Sequence, residues 1–219
     1  MFRDRRDAGR QLALRLAHLK ALQPPPVVLG LPRGGVVVAA QIARELNSPL
    51  DVLVVRKLGA PHQPELAIGA VTDGEHPQTV LNRDLLDLIN VEQAYLDAEI
   101  ERQLVEVRRR QSDLRMGRPP VAVAGRTVIV VDDGIATGAT IKAGLTALRQ
   151  SKPARMILAV PVAPPETLRE LTSLADELLC LSAPPNFVAV GRNYENFEQT
   201  TDDEVISLLR ANIESRSRA

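Results

Sequence analysis

The chain has 219 residues, of which 45% are hydrophobic and only 2% aromatic, and its 27 basic side chains balance 27 acidic ones. Length and composition indicate one globular domain, and the zero net charge argues against a general nucleic-acid binder, which usually carries a basic surplus. A single cysteine excludes a disulfide or zinc framework within the chain, and no run of about 18 apolar residues is present to span a membrane. No apolar segment follows Met1, so no signal peptide is expected. We therefore expect a cytoplasmic protein.

Helical and strand patterns alternate along the chain. Leucines at mostly helical spacing predict a first helix that ends at the prolines after Gln23, since proline lacks the amide donor. Asn90 is expected to cap a long helix, with Gln93 returning the hydrogen bond, and the arginines at 108–110 are interpreted as a solvated face of that helix. Predicted helices cover residues 5–22, 36–46, 90–116, 140–150, 166–175 and 203–212, and predicted strands cover 27–31, 50–55, 67–72, 127–131, 156–162 and 177–181. Apolar strands that lack strict alternation, each followed by a helix, indicate an α/β fold whose parallel sheet has helices on both faces.

Three loops with unusual chemistry directly follow predicted strands. They lie at 32–35, 56–59 and 132–140. Parallel α/β sheets bind their ligands at the carboxyl ends of the strands, so the three loops are expected on one edge.

The loop at 132–140 carries the most specific chemistry. Adjacent carboxylates at Asp132 and Asp133 repel each other unless they meet hydroxyl groups or a cation. The small residues that follow allow backbone N–H groups to converge on an anion where a helix begins. Asp-Asp-Gly is also ordinary turn chemistry, which is the alternative interpretation. The order of strand, acids, glycine loop and helix favours a ligand in which a phosphate is attached to a polyol. The carboxylates would accept hydrogen bonds from its hydroxyls, and Thr137 and Thr140 would bind the phosphate.

These residues carry a family resemblance. The segment 128–140, VIVVDDGIATGAT, resembles the motif with which type I phosphoribosyltransferases bind 5-phosphoribosyl 1-diphosphate (PRPP). The segment 31–35, LPRGG, is similar to the diphosphate-binding loop of bacterial xanthine–guanine enzymes, and Arg56-Lys57 is similar to the basic pair of adenine enzymes. The resemblance covers about 27–181, and the chain as a whole resembles a group of bacterial proteins classed with the phosphoribosyltransferases.

The resemblance implies a single domain over 1–219. Its type I phosphoribosyltransferase-like core would span about 24–183, and a small hood would be formed by about 184–219 with contributions from the N-terminal helix and the 90–116 helix. The segment 58–69 stands where the family has a mobile loop that closes over the site. A cis peptide bond is expected between Pro32 and Arg33, because related enzymes have one in this loop.

The implied activity is Mg²⁺-dependent transfer of a phosphoribosyl group from PRPP to a nitrogenous base, with release of diphosphate. Asp132 and Asp133 would hold the ribose hydroxyls and the metal, through water or those hydroxyls, while Arg33 and Lys57 would neutralise the diphosphate; these four form the expected catalytic set. The expected PRPP ligands are Arg33, Gly34, Gly35, Lys57, Asp132, Asp133, Gly134, Ala136, Thr137, Gly138, Ala139 and Thr140.

The base is not identified, because the sequence departs from the family twice. Ala136 stands where 6-oxopurine enzymes usually have an aspartate, and Asn193 stands where an aspartate is usual, with no lysine after Ala154 to reach a 6-oxo group. Phe187, Val188 and Tyr194 are the candidate base-binding residues, the alternative being that these aromatics only fill the hood core. His62 and His76 are interpreted as surface residues in a proline-containing loop.

Two rival functions stay open at this point. One is a PRPP-binding regulator or sensor without catalysis, and the weaker one is hydrolysis of PRPP or a related phosphorylated sugar. Presence of Arg33, Lys57 and both aspartates favours an enzyme. A homodimer is left open, and no nucleic-acid or membrane partner is expected.

Overall fold

The computed structural model describes residues 1–74 and 77–217, and its strands form two sheets. The strands are β1 (Val27–Gly30), β2 (Leu50–Val52), β3 (Val55–Ala60), β4 (Gln63–Thr72), β5 (Gln78–Leu81), β6 (Thr127–Val131), β7 (Arg155–Val162) and β8 (Glu177–Ser182). The α-helices are α1 (Arg5–Leu16), α2 (Gly34–Glu45), α3 (Arg83–Leu88), α4 (Gln93–Arg115), α5 (Ala139–Gln150), α6 (Pro165–Leu171) and α7 (Asp202–Ser217).

The main sheet is parallel, with the strand order β2-β1-β6-β7-β8. Alternate residues of β6 enter two different core clusters: Ile129 and Val131 pack with α1, α2 and α7, whereas Val128 and Val130 pack with α5 and α6. Burial on both faces explains why the strand is apolar throughout. The predicted α/β fold with helices on both faces is confirmed.

The second sheet is antiparallel, with the order β3-β4-β5. The single strand predicted at 50–55 is wrong because the chain changes partner inside it. Leu53 N donates to Gly30 O at 3.0 Å, beside the main sheet, whereas Val54 N donates to Asp73 Oδ1 at 2.9 Å, beside the end of β4. Residues 56–59, predicted as a loop, therefore lie within β3, and the segment predicted as a mobile loop at 58–69 forms the hairpin of β3 and β4.

Helix α4 lies across this antiparallel sheet. Tyr95 Oη donates to Gly59 O at 2.9 Å, and Gly59 N donates to Glu99 Oε1 at 3.4 Å. The predicted cap at Asn90 is wrong: Asn90 has a φ of 49°, in the left-handed region that asparagine tolerates, and Glu92 occupies the N-cap position. Strand β5 and helix α3 were not predicted.

The segment predicted as a hood divides into two parts. Tyr194 packs with Phe2 and Ala8 of the N-terminal region, and the same region is held by Phe2 N donating to Asn193 O at 2.8 Å and Glu195 N donating to Phe2 O at 2.8 Å. Helix α7 instead packs in the main core through Val205 and Leu209. Among residues 1–74 and 77–217, no helix combines the length and hydrophobicity that crossing a bilayer requires.

Candidate functional site

The loop after β1 lies against the end of β6. Leu31 N donates to Val131 O at 2.9 Å, and the Pro32–Arg33 peptide bond is cis, as predicted. The next two residues must be glycines for this approach. A Cβ atom at Gly34 would lie 1.9 Å from Asp133 Oδ2, and one at Gly35 would lie 2.8 Å from Val131 O. Two of the three predicted loops are thus brought into contact.

The acidic pair at the end of β6 is partly enclosed. Asp133 N donates to Asp132 Oδ1 at 2.9 Å. Burial raises the pKa of the Asp132 carboxyl well above its usual range, and the neighbouring charge of Asp133 raises it further. Two neighbouring carboxyl groups at one strand end are suited to accept hydrogen bonds from hydroxyl groups or to bind a cation.

The loop that follows the acids leads directly into α5. Ile135 N donates to Val162 O at 2.9 Å, and Thr167 Oγ1 donates to Ala136 O at 2.8 Å, so neighbouring elements fix the loop at two points. Gly138 has a φ of 73°, which a residue with a Cβ rarely adopts. The exposed residues are Ala136, Thr137, Ala139 and Thr140. The first N–H groups of a helix lack intrahelical acceptors, so this end of α5 can bind an anion.

Beside this helix end is a cavity of about 320 Å³ that is lined by three arginines. Arg33 comes from the loop after β1, Arg56 from β3 and Arg110 from α4, and Thr140 lies on the same wall. Arg110 Nη2 lies 3.4 Å from Asp202 Oδ1, and Arg56 Nε donates to the Gln103 side chain at 3.3 Å. The cavity is therefore polar, basic and adjacent to the glycine loop.

The lining of this cavity bears on two sequence interpretations. Lys57 is not among the lining residues, since side chains alternate along β3 and its ammonium lies 3.6 Å from Glu65 Oε2; its role as a PRPP ligand stays a prediction. Arg56 of the predicted basic pair lines the cavity in its place. Arg110 was interpreted as part of a solvated helix face, yet it is half-buried at the cavity wall.

Arg5 of α1 is a site residue that the sequence did not suggest. Its Nε donates to Asp133 Oδ2 at 2.6 Å, its Nη1 donates to Glu198 O at 2.7 Å, and its guanidinium carbon lies 3.8 Å from the centre of the Phe197 ring. The contact joins residues that are 128 positions apart, so no local motif could reveal it.

Tyr194, predicted to bind the base, lies in the packed interior of the hood. Its ring is 5.0 Å from that of Phe197 and 5.4 Å from that of Phe2, and its hydroxyl donates to Asp133 O at 2.5 Å. Burial, with the charge of Asp133 adding to it, raises the pKa of Tyr194, so the hydroxyl keeps its proton. Tyr194 is therefore buried in the hood, where its hydroxyl binds the backbone of the acidic loop, and base binding by this residue stays a prediction.

The other two candidates for base binding lie nearer the surface. Phe187 is half-buried against the cluster that contains Phe2 and Tyr194, whereas Val188 is 78% exposed. His62 lies in a left-handed turn between β3 and β4 with a φ of 60°, while His76 lies outside the described residues.

The residues available for a metal are the two carboxylates of Asp132 and Asp133. In the described part of the chain, no group of three or more histidine, cysteine, aspartate or glutamate side chains could hold a metal ion by itself. Mg²⁺ is commonly bound by one or two carboxylates together with substrate phosphates. The acidic pair fits that mode of binding.

A parallel sheet with an acidic pair, a glycine loop and a helix start at its carboxyl edge defines the type I phosphoribosyltransferase class of α/β proteins. A family model described as "Phosphoribosyl transferase domain" matches residues 7–195. Two Mycobacterium tuberculosis proteins, from strains CDC 1551 and H37Rv and both named "Putative phosphoribosyl transferase", are 50% identical over 209 residues, which are 95% of this chain and 46% of each relative. A crystal structure of a Thermus thermophilus protein is 47% identical with a TM-score of 0.83, covering 95% of this chain and 97% of that one. The chain belongs to the phosphoribosyl transferase domain family, and it spans about half the length of the curated relatives that it matches.

Proposed function

We propose that the protein transfers a phosphoribosyl group from PRPP to a nitrogenous base and releases diphosphate. The observation that carries this proposal is the meeting of three features at one edge of the sheet: the Asp132–Asp133 pair, the glycine loop that begins α5, and the arginine-lined cavity. PRPP has the complementary groups, namely ribose hydroxyls, a 5-phosphate and a diphosphate.

Each part of PRPP has a matching part of the site. The 5-phosphate binds at the loop of 134–140, where Thr137, Thr140 and free backbone N–H groups are available. The diphosphate enters the cavity beside Arg33, Arg56 and Arg110, since guanidinium groups bind phosphate through paired N–H donors. The ribose is assigned to the acidic pair, whose carboxylates can accept hydrogen bonds from its hydroxyls.

The chemistry follows from where charge develops. A nitrogen nucleophile attacks the anomeric carbon, the bond to diphosphate breaks, and the ribose ring passes through a state with oxocarbenium character. Asp133 accepts hydrogen bonds from the ribose hydroxyls as positive charge grows on the ring, and the arginines stabilise the negative charge on the leaving group. Mg²⁺, held by Asp132 and Asp133 together with diphosphate oxygens, would supply further charge neutralisation on that group.

Asp133→Asn tests the role of the acidic pair. We expect diphosphate release, measured with PRPP, Mg²⁺ and a panel of bases, to fall by at least about tenfold, or ~1.4 kcal/mol of barrier, because the amide lacks the charge that the ring requires. The melting temperature should stay close to that of the parent protein. An unchanged rate with a saturating base would refute the assignment.

Calorimetry with PRPP tests the role of the metal, and together with the diphosphate assay it distinguishes an enzyme from a sensor. Binding should be strong with Mg²⁺ and weak with EDTA, because the arginines alone leave much of the diphosphate charge uncompensated. Equal affinity in both conditions would contradict the role of the metal. Tight binding without diphosphate release from any base would identify a regulator that senses PRPP.

A further inference from the structure

Arg5 holds one oxygen of the Asp133 carboxylate from outside the sheet. The side chains of Arg5 and Asp133 are 12% and 17% exposed, so their 2.6 Å contact is largely shielded from water. Charged hydrogen bonds of this kind are the stronger ones in proteins. In the described part of the chain, no N–H group donates to the other carboxylate oxygen, Oδ1.

Arg5 is itself fixed by two further contacts. Glu198 O accepts a hydrogen bond from its Nη1 at 2.7 Å, and the Phe197 ring stacks on its guanidinium plane at 3.8 Å. Three contacts on one planar group leave it little rotational freedom. The guanidinium is therefore held in place beside Asp133 by contacts with several parts of the chain.

The residues that make these contacts lie outside the span that the family model matches. Arg5 precedes the matched span of 7–195, and Phe197 and Glu198 follow it. Membership of the family thus gives none of the three a role. Backbone hydrogen bonds join the two ends, because Glu195 N donates to Phe2 O and Asn196 N donates to Arg3 O at 2.9 Å.

We infer that Arg5 is a positioning residue for Asp133. By binding Oδ2 it fixes the orientation of the Asp133 carboxylate, and its positive charge offsets the repulsion between the two neighbouring carboxylates. The contact between Arg5 and Asp133 requires a glycine at position 34. A Cβ atom at Gly34 would lie 2.7 Å from Arg5 Nε and would also collide with the Asp133 carboxylate. This inference rests on the proposed function, because the ligand group that donates a hydrogen bond to the Asp133 carboxylate is a ribose hydroxyl of PRPP.

Arg5→Gln tests the inference, with Arg6→Gln as the matched control. Arg6 lies in the same turn of α1, but its Nη2 donates to Glu204 at 3.1 Å and not to the site. We expect Arg5→Gln to weaken PRPP binding in the presence of Mg²⁺, measured by calorimetry, and to lower kcat, each by about tenfold. Arg6→Gln should leave both within about twofold.

A double-mutant cycle distinguishes positioning from a general structural effect. In the Asp133→Asn background, Arg5→Gln should change PRPP affinity by less than about twofold, because the group through which Arg5 acts is already altered. Additive losses, or equal losses from Arg5→Gln and Arg6→Gln, would overturn the inference.

Phe197→Leu supplies a second variant if Arg5→Gln does not fold. It removes the stacked ring while keeping both hydrogen bonds of Arg5, and we expect a smaller loss of PRPP affinity, about threefold, in the same direction. An unchanged affinity would count against the positioning role. If the parent protein does not bind PRPP, both the proposed function and the role of Arg5 are refuted. If the parent protein binds PRPP and Arg5→Gln binds it equally well, only the role of Arg5 is refuted.

Discussion

Three arginines from distant parts of the chain line the cavity beside the start of α5. Arg33, Arg56 and Arg110 belong to a loop, a strand and a helix, and only Arg110 is within ion-pair distance of a carboxylate, that of Asp202, among the described residues. Like charges in one cavity repel each other, so an anion between them lowers the electrostatic energy. The cluster thus favours the proposed ligand, whose diphosphate carries several negative charges.

Arg110→Ala is the variant that isolates this contribution. We expect it to weaken PRPP binding by about fivefold, or ~1 kcal/mol, because one donor to the diphosphate is lost. Arg109→Ala is the control, since Arg109 belongs to the same helix but pairs with Glu106 and Asp113 on the exposed face. Calorimetry on both variants checks the prediction, which fails if the two lose equal affinity.

Residues within one contiguous motif could be predicted, and residues that reach the site from elsewhere could not. Asp132, Asp133 and Gly34 lie just after strands, so topology alone places them at one edge. Arg5 and Arg110 arrive from α1 and α4, whose orientation depends on packing. The position of Lys57 could not be derived from the sequence, because the face on which a side chain lies depends on its strand, and the sequence pattern predicts a loop where β3 forms.

At the scale of elements, the apolar pattern does not predict the break between β2 and β3. Leu50 to Val55 is apolar apart from Asp51, and five of these six residues are buried, so hydrophobicity gives no sign that the run serves two sheets. The change of partner is fixed by backbone hydrogen bonds of Leu53 and Val54 to Gly30 and Asp73. Strand β6 was predicted to the residue, because its apolar residues from Val128 to Val131 are buried on both faces.

The segment around Phe187 tests whether the hood binds the base. Phe187→Ala should raise the KM of the accepted base by about fivefold or more and leave PRPP affinity nearly unchanged, since stacking on an aromatic ring contributes on the order of 1–3 kcal/mol per base. Kinetics with each substrate varied in turn measures the two effects separately.

Phe2→Leu is the structural comparison for that variant. Phe2 is buried in the cluster against which Phe187 packs, so its replacement should lower the melting temperature without a selective effect on the base. If Phe187→Ala behaves in the same way, with early melting and equal losses for both substrates, Phe187 belongs to the hood core and the base binds elsewhere.

At the scale of the whole molecule, a buried ionic group joins the two sheets and α4. Arg115 Nε donates to Asp51 Oδ1 of β2 at 2.7 Å, and its Nη1 lies 2.7 Å from Asp73 Oδ2 just after β4. Asp51 Oδ2 accepts a hydrogen bond from Val121 N at 2.9 Å. The side chains of Arg115 and Asp73 are only 4% and 1% exposed, so loosening this group would expose charges that the fold has taken out of water.

The ionisation of Asp73 should make the stability of the fold depend on pH. Burial raises the pKa of Asp73 to about 6; the Arg115 charge opposes this rise and the Asp51 charge adds to it. In the unfolded chain the group titrates near its ordinary value of about 3.9. Between pH 4 and 6 the folded state therefore binds a proton that the unfolded state does not, and the free energy of unfolding gains from Asp73 as pH falls through this window, by up to about 1.4 kcal/mol per pH unit. The contribution is fully present below the unfolded pKa and is lost as pH rises through 6.

Asp73→Asn removes this titration while keeping an oxygen that can accept from Val54 N. Urea unfolding of both proteins at several pH values from 4.5 to 7.5 gives the comparison, and the difference in free energy of unfolding should move in favour of the parent protein as pH falls. Asp176 does not obscure the result: a hydrogen bond from Arg149 lowers its pKa, so the stability that it contributes is lost only at lower pH. Parallel stability curves for the two proteins would show that Asp73 is ionised throughout the range, and that the ionic group holds its charges without responding to pH.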